Sequence, residues 1–414
     1  MNEFTIVFLA AILAGIGTQW LLCRRHILHV RKHRAAVPAA FSDRIPLAAH
    51  QKAADYTEAK VRLGLFELVA GMIMLLIWTL GGALQLLDDA WRNLHWSGVW
   101  TGTAVILSLL GILAILDLPL SWYRIFRLEQ RFGFNKATLK IFFSDFAKNL
   151  LLGLLIGTPI ILLVLWIMDN AGAWWWFYVW LTWLAFSIFM IGIYPTFIAP
   201  LFNKFRPLEN PELKQRVENL LSRNGFTSKG IYVMDGSTRS THGNAYFTGL
   251  GANKRIVFFD TLINELSPEE IEAVLAHELG HFKCNHIRKR MITLGLVFFA
   301  GLALLGWLID MPWFYAGLGI KQPSTYIALL LFAIIAPVFT FFLQPVFSHI
   351  SRRHEFEADD FAAAQAQTEN LIQALVKLYR ENANTLTPDP LFSAFHDSHP
   401  PAPIRIAHLN TRLA

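Results

Sequence analysis

The sequence predicts a mainly α, polytopic membrane protein: seven transmembrane helices joined to a small α+β domain on the cytoplasmic side. Three observations carry that prediction. Seven apolar runs are each long enough to cross a bilayer, Lys and Arg alternate between dense and sparse in the segments joining them, and two polar stretches near the C-terminal half are patterned for folded structure. Of the 414 residues, 54% are hydrophobic and 16% charged, against about 25% charged in a soluble globular chain. Mean hydropathy is +0.41. An ordinary soluble enzyme and a disordered chain are both excluded.

The runs cover residues 4–23, 63–87, 97–121, 150–168, 174–199, 291–309 and 325–348, and about 18 mostly apolar residues are enough to span. Met1 to Phe4 holds no Lys or Arg, and the positive cluster Arg24, Arg25, Arg31, Lys32 and Arg34 follows the first run. That is the reverse of a signal peptide, so the run reads as a retained span. Nine Lys and Arg lie between Arg24 and Arg62, Arg92 stands alone in the second connection, and six occupy the third. Asp169 to Ala173 has none, the stretch near 200–290 is basic, the next connection has only Lys321, and the tail after 348 is basic again. The positive-inside rule then puts the N-terminus outside and the C-terminus in the cytoplasm. The formal charge of +6 is topological, and no nucleic-acid partner is expected. Two spans carry acids, Glu67 and Asp117. They either face a polar interior or reach the interface from a helix end.

The soluble parts, about 200–290 and 349–414, are each short for a domain and are expected to pack together. Asn210-Pro211 caps a helix striped by Leu213, Val217, Leu220 and Leu221 and ended by Gly225,. Ile231 to Val233 and Arg255 to Phe259 read as strands around the turn at Asp235-Gly236-Ser237,. The chain thus divides into 1–199 with five spans, 200–290 and 349–414 as the two parts of one folded unit, and 291–348 with the last two spans.

The strongest chemical signal is His277-Glu278-Leu279-Gly280-His281. It follows Ser267-Pro268-Glu269-Glu270 and an apolar run, which is a Ser cap, Pro at the first helical position and Glu at the third. Residues four apart share a helix face, so both imidazoles can meet one metal ion with Glu278 beside the open coordination position. Given 14 His and 30 acids, chance yields such a pattern about 0.03 times. Zinc held by three protein ligands activates a water molecule, from which Glu278 takes the proton as it attacks a carbonyl.

The third ligand is ambiguous from spacing. His286 lies five residues after His281, and Cys284 stands where the metzincin layout has Gly,. That layout is absent. A better source is Ser351 to Ala362, helical in pattern, where Glu355 and Asp359 project together,. Glu355 is favoured as ligand, with Asp359 orienting a ligand histidine through its other nitrogen. Glu357 and a merely solvated acidic face stay open on spacing. The two cysteines, Cys23 and Cys284, are too few for a disulfide framework or a Cys-rich zinc site,.

With these residues in view, the chain resembles the type I CAAX prenyl proteases, integral-membrane gluzincins, from about Arg124 to Leu409. The segments that carry the resemblance are Glu129 to Lys136 (EQRFGFNK), Ile198 to Phe205 (IAPLFNKF), Asp235 to Ser240 (DGSTRS), Asn244 to Phe247 (NAYF) and Asn253 to Val257 (NKRIV). The zinc-motif helix with Asn285-His286, the Glu355 helix and Ser398-His399-Pro400-Pro401 complete the set. The resemblance implies seven helices enclosing a water-filled chamber, and one Zn2+ per chain bound by His277, His281 and Glu355 rather than Glu357. It implies that Asn244 and Ala245 begin an edge strand on which the substrate backbone lies. It also implies that His399 steadies the oxyanion, with Arg405 nearby.

The expected function is a membrane-embedded zinc endopeptidase cutting near the C-terminus of a prenylated (CAAX-type) or otherwise membrane-tethered peptide. Its partners would be peptide or lipidated protein substrate and membrane lipid. A broad quality-control protease for membrane proteins is the alternative, and a non-hydrolytic transporter or lipid-binding protein is disfavoured by the intact Glu278 and ligands. A bacterial inner membrane and the endoplasmic reticulum both suit the sequence. His26, His29 and His33 read as a solvated, lipid-facing basic face, Trp174 to Trp176 as an interface belt, and Cys284 as packing. His242 and His354 take no role.

Overall fold

The computed structural model describes residues 2–226, 230–248 and 255–412. Asn253 and Lys254 of the quoted segments lie outside them. Among the described residues, seven helices are long and apolar enough to cross a membrane: Glu3–His33, Leu47–Trp78, Gly98–Glu129, Leu139–Asn170, Gly172–Phe202, His286–Leu308 and Thr325–Gln365. Each overlaps one of the seven predicted runs. The second departs most from its run. The helix begins 16 residues earlier than the apolar run and stops at Trp78, where Gly81 and Gly82 make a turn before a separate amphipathic helix, Ala83–Arg92. Gly82 takes φ +77, a conformation that costs glycine nothing, and an apolar count is blind to such a turn.

Side chains such as Phe8, Leu109, Leu165, Phe314 and Leu331 fill the interior of the bundle, and Leu13, Leu155, Phe197 and Leu296 cover its outside. A helix apolar on all sides is the pattern that lipid surroundings favour. Trp174 is exposed as an interface belt requires, but Trp175 is buried in the bundle, so the belt reading holds for only part of that cluster.

Four strands form one sheet among the described residues: β1 (Phe205–Pro207), β2 (Ile231–Met234), β3 (Ala245–Thr248) and β4 (Arg255–Phe259), in the order β1-β2-β4-β3. β2 and β4 are parallel, and β3 runs antiparallel to β4 with Ala245 opposite Phe258. β3 is therefore an edge strand. One buried core joins the sheet to helices from both polar stretches: Leu213, Val217 and Leu220 meet Ile256 and Phe258, Ile271, Leu275 and Leu279, and then Ala362, Leu375 and Leu409. Phe41 and Ile45, from the first connection between spans, are buried in this same core.

The seventh span does not end before the acidic helix. Its α-helix Thr325–Thr340 passes through a single tight turn at Phe341–Leu343 into Gln344–Gln365, so one rod carries both the apolar run and Glu355. Two adjoining cavities of about 950 and 810 Å³ share Lys60 and Gly64 as wall residues. Glu67 and Asp117 line the first. Glu67 pairs with Arg124 at 2.6 Å and Asp117 accepts from the Ser121 hydroxyl at 2.7 Å, which favours the polar-interior reading of these acids. His26 is not solvated as expected. It is buried, stacks on Phe392 with ring centroids 4.0 Å apart, and accepts the Asp389 backbone N–H at 3.1 Å. A helix extending past the apolar run carries His26 against the C-terminal part of the chain, a contact that the surrounding charges conceal.

Candidate active site

The motif helix Pro268–Lys283 starts with the full reciprocal cap: the Ser267 hydroxyl accepts from the Glu270 N–H, and the Glu270 carboxylate accepts from the Ser267 N–H. Ile271, Leu275 and Leu279 fix its apolar face in the core, which leaves His277 and His281 against Glu355 of the Gln344–Gln365 helix and His277 and Glu278 in the wall of the second cavity.

The donor atoms of His277, His281 and Glu355 all lie within 4.8 Å of one another. The two Nε2 atoms are 3.2 Å apart, and they sit 3.5 and 3.4 Å from the Glu355 oxygens. Two ligand nitrogens on one tetrahedral zinc would stand about 3.3 Å apart. Glu355 Oε2 is buried and has no hydrogen-bond partner among the described residues, an arrangement that is costly unless a cation takes the lone pair. The donor set fits a zinc ion.

Asp359, fully buried, lies 2.8 Å from His277 Nδ1. An ionised carboxylate only accepts, so this contact places the His277 proton on Nδ1 and leaves the Nε2 lone pair toward the gathered donors. Arg405 binds Asp359 through Nε at 2.8 Å and through a second nitrogen, and a third reaches to 3.6 Å from Glu355. Its side chain is buried and its charge is committed to these two carboxylates. Burial and the Arg405 charge oppose protonation of His277, yet Asp359 and Glu355 prevail and raise its pKa to about 9. Burial pushes the Glu278 carboxyl above the usual carboxylate range, although His277 and His281 pull the other way.

Glu278, His399, Gly243, Asn244 and Ala245 line one cavity together with His277 and Glu355. His399 Nε2 is 3.4 Å from Glu355 Oε1, and its Nδ1 is 3.0 Å from the Ser398 hydroxyl. Desolvation in the cavity wall holds the His399 imidazole below the ordinary histidine value, although Glu355 acts in the opposite sense. Asn244 is exposed to the cavity; its side-chain oxygen accepts from the Ala245 N–H at 2.8 Å, which leaves its amide hydrogens unengaged by that contact. The site therefore gathers a trio of donors that could hold a metal ion, a carboxylate with a raised pKa, an imidazole and the start of an open strand edge.

The sequence matches the model of the CAAX prenyl protease N-terminal region, with five membrane helices, over residues 26–204, and that of peptidase family M48 over residues 207–413. CAAX prenyl protease 1 of Saccharomyces cerevisiae is 37% identical over 402 residues, covering 90% of this chain and 88% of the relative. The chain belongs to the CAAX prenyl proteases of peptidase family M48. The human CAAX prenyl protease 1 homolog is 33% identical over 84% of the chain and 82% of its own length. The crystal structure of S. mikatae Ste24p superposes with a TM-score of 0.93 at 33% identity, covering 99% of this chain and 100% of that one.

In this M48 metalloprotease, His286, weighed from spacing only as a third ligand in a layout that is absent, lies against the second motif histidine. Asn285 takes φ +57 and ends the motif helix, so His286 opens the next one and turns back toward His281, with the two Nδ1 atoms 2.9 Å apart. The signal for that break was Asn-His after Cys284, since Asn tolerates the left-handed region better than most residues. His242 sits in the wall of the first cavity, 3.6 Å from Glu129 and 3.1 Å from Asn382.

Proposed function

We propose that this protease hydrolyses a peptide bond near the C-terminus of a prenylated (CAAX-type) or other membrane-tethered peptide admitted to the chamber, using one Zn2+ held by His277, His281 and Glu355. The single observation that carries this reading is the shared cavity. His277, Glu355 and Glu278 open onto the same space as the β3 edge, and that space adjoins the first cavity, which is walled by membrane helices. Prenylated substrate is supported by the likeness to CAAX prenyl protease 1 of Saccharomyces cerevisiae and its human homolog over most of the chain.

When bound, zinc acidifies a water molecule and polarises the scissile carbonyl. Glu278 takes the proton of the attacking water and returns it to the leaving amine, a task suited to a carboxyl with a raised pKa,. The His399 N–H meets the charge that develops on the carbonyl oxygen. The β3 edge from Ala245 pairs with the substrate main chain, and the Asn244 amide donates to a peptide carbonyl. Asp359 keeps the His277 proton on Nδ1, and Arg405 holds Asp359 in place, so Arg405 acts through the ligands. The catalytic unit is read as 200–290 with 349–414, on the cytoplasmic side, beside membrane parts 1–199 and 291–348 with the N-terminus outside.

The test is mass spectrometry of two otherwise identical peptides, one farnesylated on a Cys-a-a-X end and one bare, incubated with wild type and with Glu278→Gln. Loss of three residues from the farnesylated peptide alone, slowed by about 10²–10⁴ in Glu278→Gln, is the expected result. Equal cleavage of both peptides would turn the reading to general membrane proteolysis. Equal rates for wild type and Glu278→Gln would remove Glu278 from the reaction.

A further inference from the structure

We infer that His286 is the positioning residue for His281: it accepts the His281 Nδ1–H and is itself anchored by Glu357, so that His281 presents Nε2 to the metal. The inference rests on the zinc reading above and names a partner for the second histidine ligand.

A histidine that binds metal through Nε2 carries its proton on Nδ1, and that N–H needs an acceptor. For His277 the acceptor is Asp359. His281 Nδ1 has no carboxylate at hydrogen-bond distance among the described residues; what stands there is His286 Nδ1, at 2.9 Å. A neutral imidazole that accepts on Nδ1 must carry its proton on Nε2. His286 Nε2 is 3.0 Å from Glu357 Oε2, which Lys289 also reaches at 3.2 Å. Every donor in the chain then points outward from the metal, from His281 to His286 to Glu357. The His286 ring is 5% exposed and is clamped flat on His354, with centroids 4.2 Å apart and planes 12° apart. The His281–His286 contact, made by this buried ring, is strengthened by the low local dielectric, whereas the Glu357 end of the chain is half exposed.

Cys284, His286 and Glu357 form a second trio of donors within 4.8 Å of one another. A metal there would require a lone pair on one His286 nitrogen, and the hydrogen-bonded chain uses both. The two uses of His286 are mutually exclusive, and zinc stoichiometry separates them.

The experiment measures zinc content, and zinc affinity by chelator competition at fixed pH, on the purified full-length protein. The variants are His286→Phe, His286→Asn and, as a ligand control, Glu355→Gln. Phenylalanine keeps the stack on His354 but accepts nothing, while the Asn side-chain oxygen can occupy the place of Nδ1. Expected are one zinc per chain in wild type and an affinity about 10–100-fold lower in His286→Phe. His286→Asn should recover most of that loss, and kcat should fall in His286→Phe with KM little changed. Unchanged affinity in His286→Phe overturns the inference, as does an equal loss in His286→Asn or a second zinc equivalent that disappears with His286. If His286→Phe does not fold, Glu357→Leu against Glu357→Gln gives the same contrast: only the leucine should weaken zinc, and equal affinities overturn the inference. Wild type without zinc would overturn the zinc reading and this inference together, whereas zinc-loaded wild type with an indifferent His286→Phe overturns this inference alone.

Discussion

Gly280 and Ala358 meet backbone to backbone: a Cβ added to Gly280 would lie 3.0 Å from Ala358 Cα and 3.1 Å from its carbonyl oxygen. This is the point where the helix bearing His277 and His281 passes the helix bearing Glu355. The space that glycine leaves empty brings the carboxylate within 3.5 Å of both imidazoles.

Gly280→Ala should therefore push the two helices apart, because the atoms that a methyl group meets belong to backbone and cannot swing away. The expected result is zinc bound at least several-fold more weakly, with Gly280→Val worse, and a destabilisation of about 1–3 kcal/mol from overpacking. Chelator competition and thermal unfolding measure both effects. Gly280→Val with wild-type zinc affinity would show that the close approach has no bearing on the site.

Asp359→Ala should be among the most damaging substitutions in the chain. It strands the buried Arg405 guanidinium and removes the acceptor that fixes the His277 tautomer. Breaking a buried ion pair in this way costs about 3–5 kcal/mol, and losing the acceptor weakens zinc by about 10–100-fold. Arg405→Lys keeps the charge but loses the two-pronged contact, so its effect on stability should be smaller. If Asp359→Ala unfolds at the wild-type temperature, the pair is not supporting the site.

The raised pKa of His277 makes two linked predictions. In zinc-free protein the protonated ring is stabilised by folding, so that contribution is complete below the unfolded value near 6.5 and is lost as pH rises through about 9,. Zinc requires the ring nitrogen unprotonated, so binding at pH 7–8 should release a proton from His277, and zinc affinity should climb with pH until about 9,. Calorimetry of zinc binding in two buffers of different ionisation enthalpy counts that proton. No proton release at pH 7.5 would contradict the assignment.

Local signals in the chain were enough for the helices and for half of the site. Apolar runs announce the spans because a bilayer demands length and hydropathy, and Ser267-Pro268-Glu269-Glu270 announces the motif helix because unsatisfied N–H groups demand caps. The spacing of His277 and His281 places both on one face by helical geometry alone. Glu355 was narrowed by spacing and chosen over Glu357 only through family resemblance, because each carboxylate sits on the same helix with nothing local to say which one turns toward the histidines.

What the sequence determined by itself was whatever depends on residues within a few turns of one another: seven spans, the capped helix and the histidine pair. The tertiary structure decided the rest. It set the passage of Gly280 against Ala358, the burial of His26 on Phe392, the entry of Phe41 and Ile45 into the catalytic core, and the turn of His286 back onto His281. These contacts join segments far apart in the chain or hinge on one left-handed residue, and their energies arise from shape and burial in three dimensions. Neither periodicity nor residue spacing carries that information.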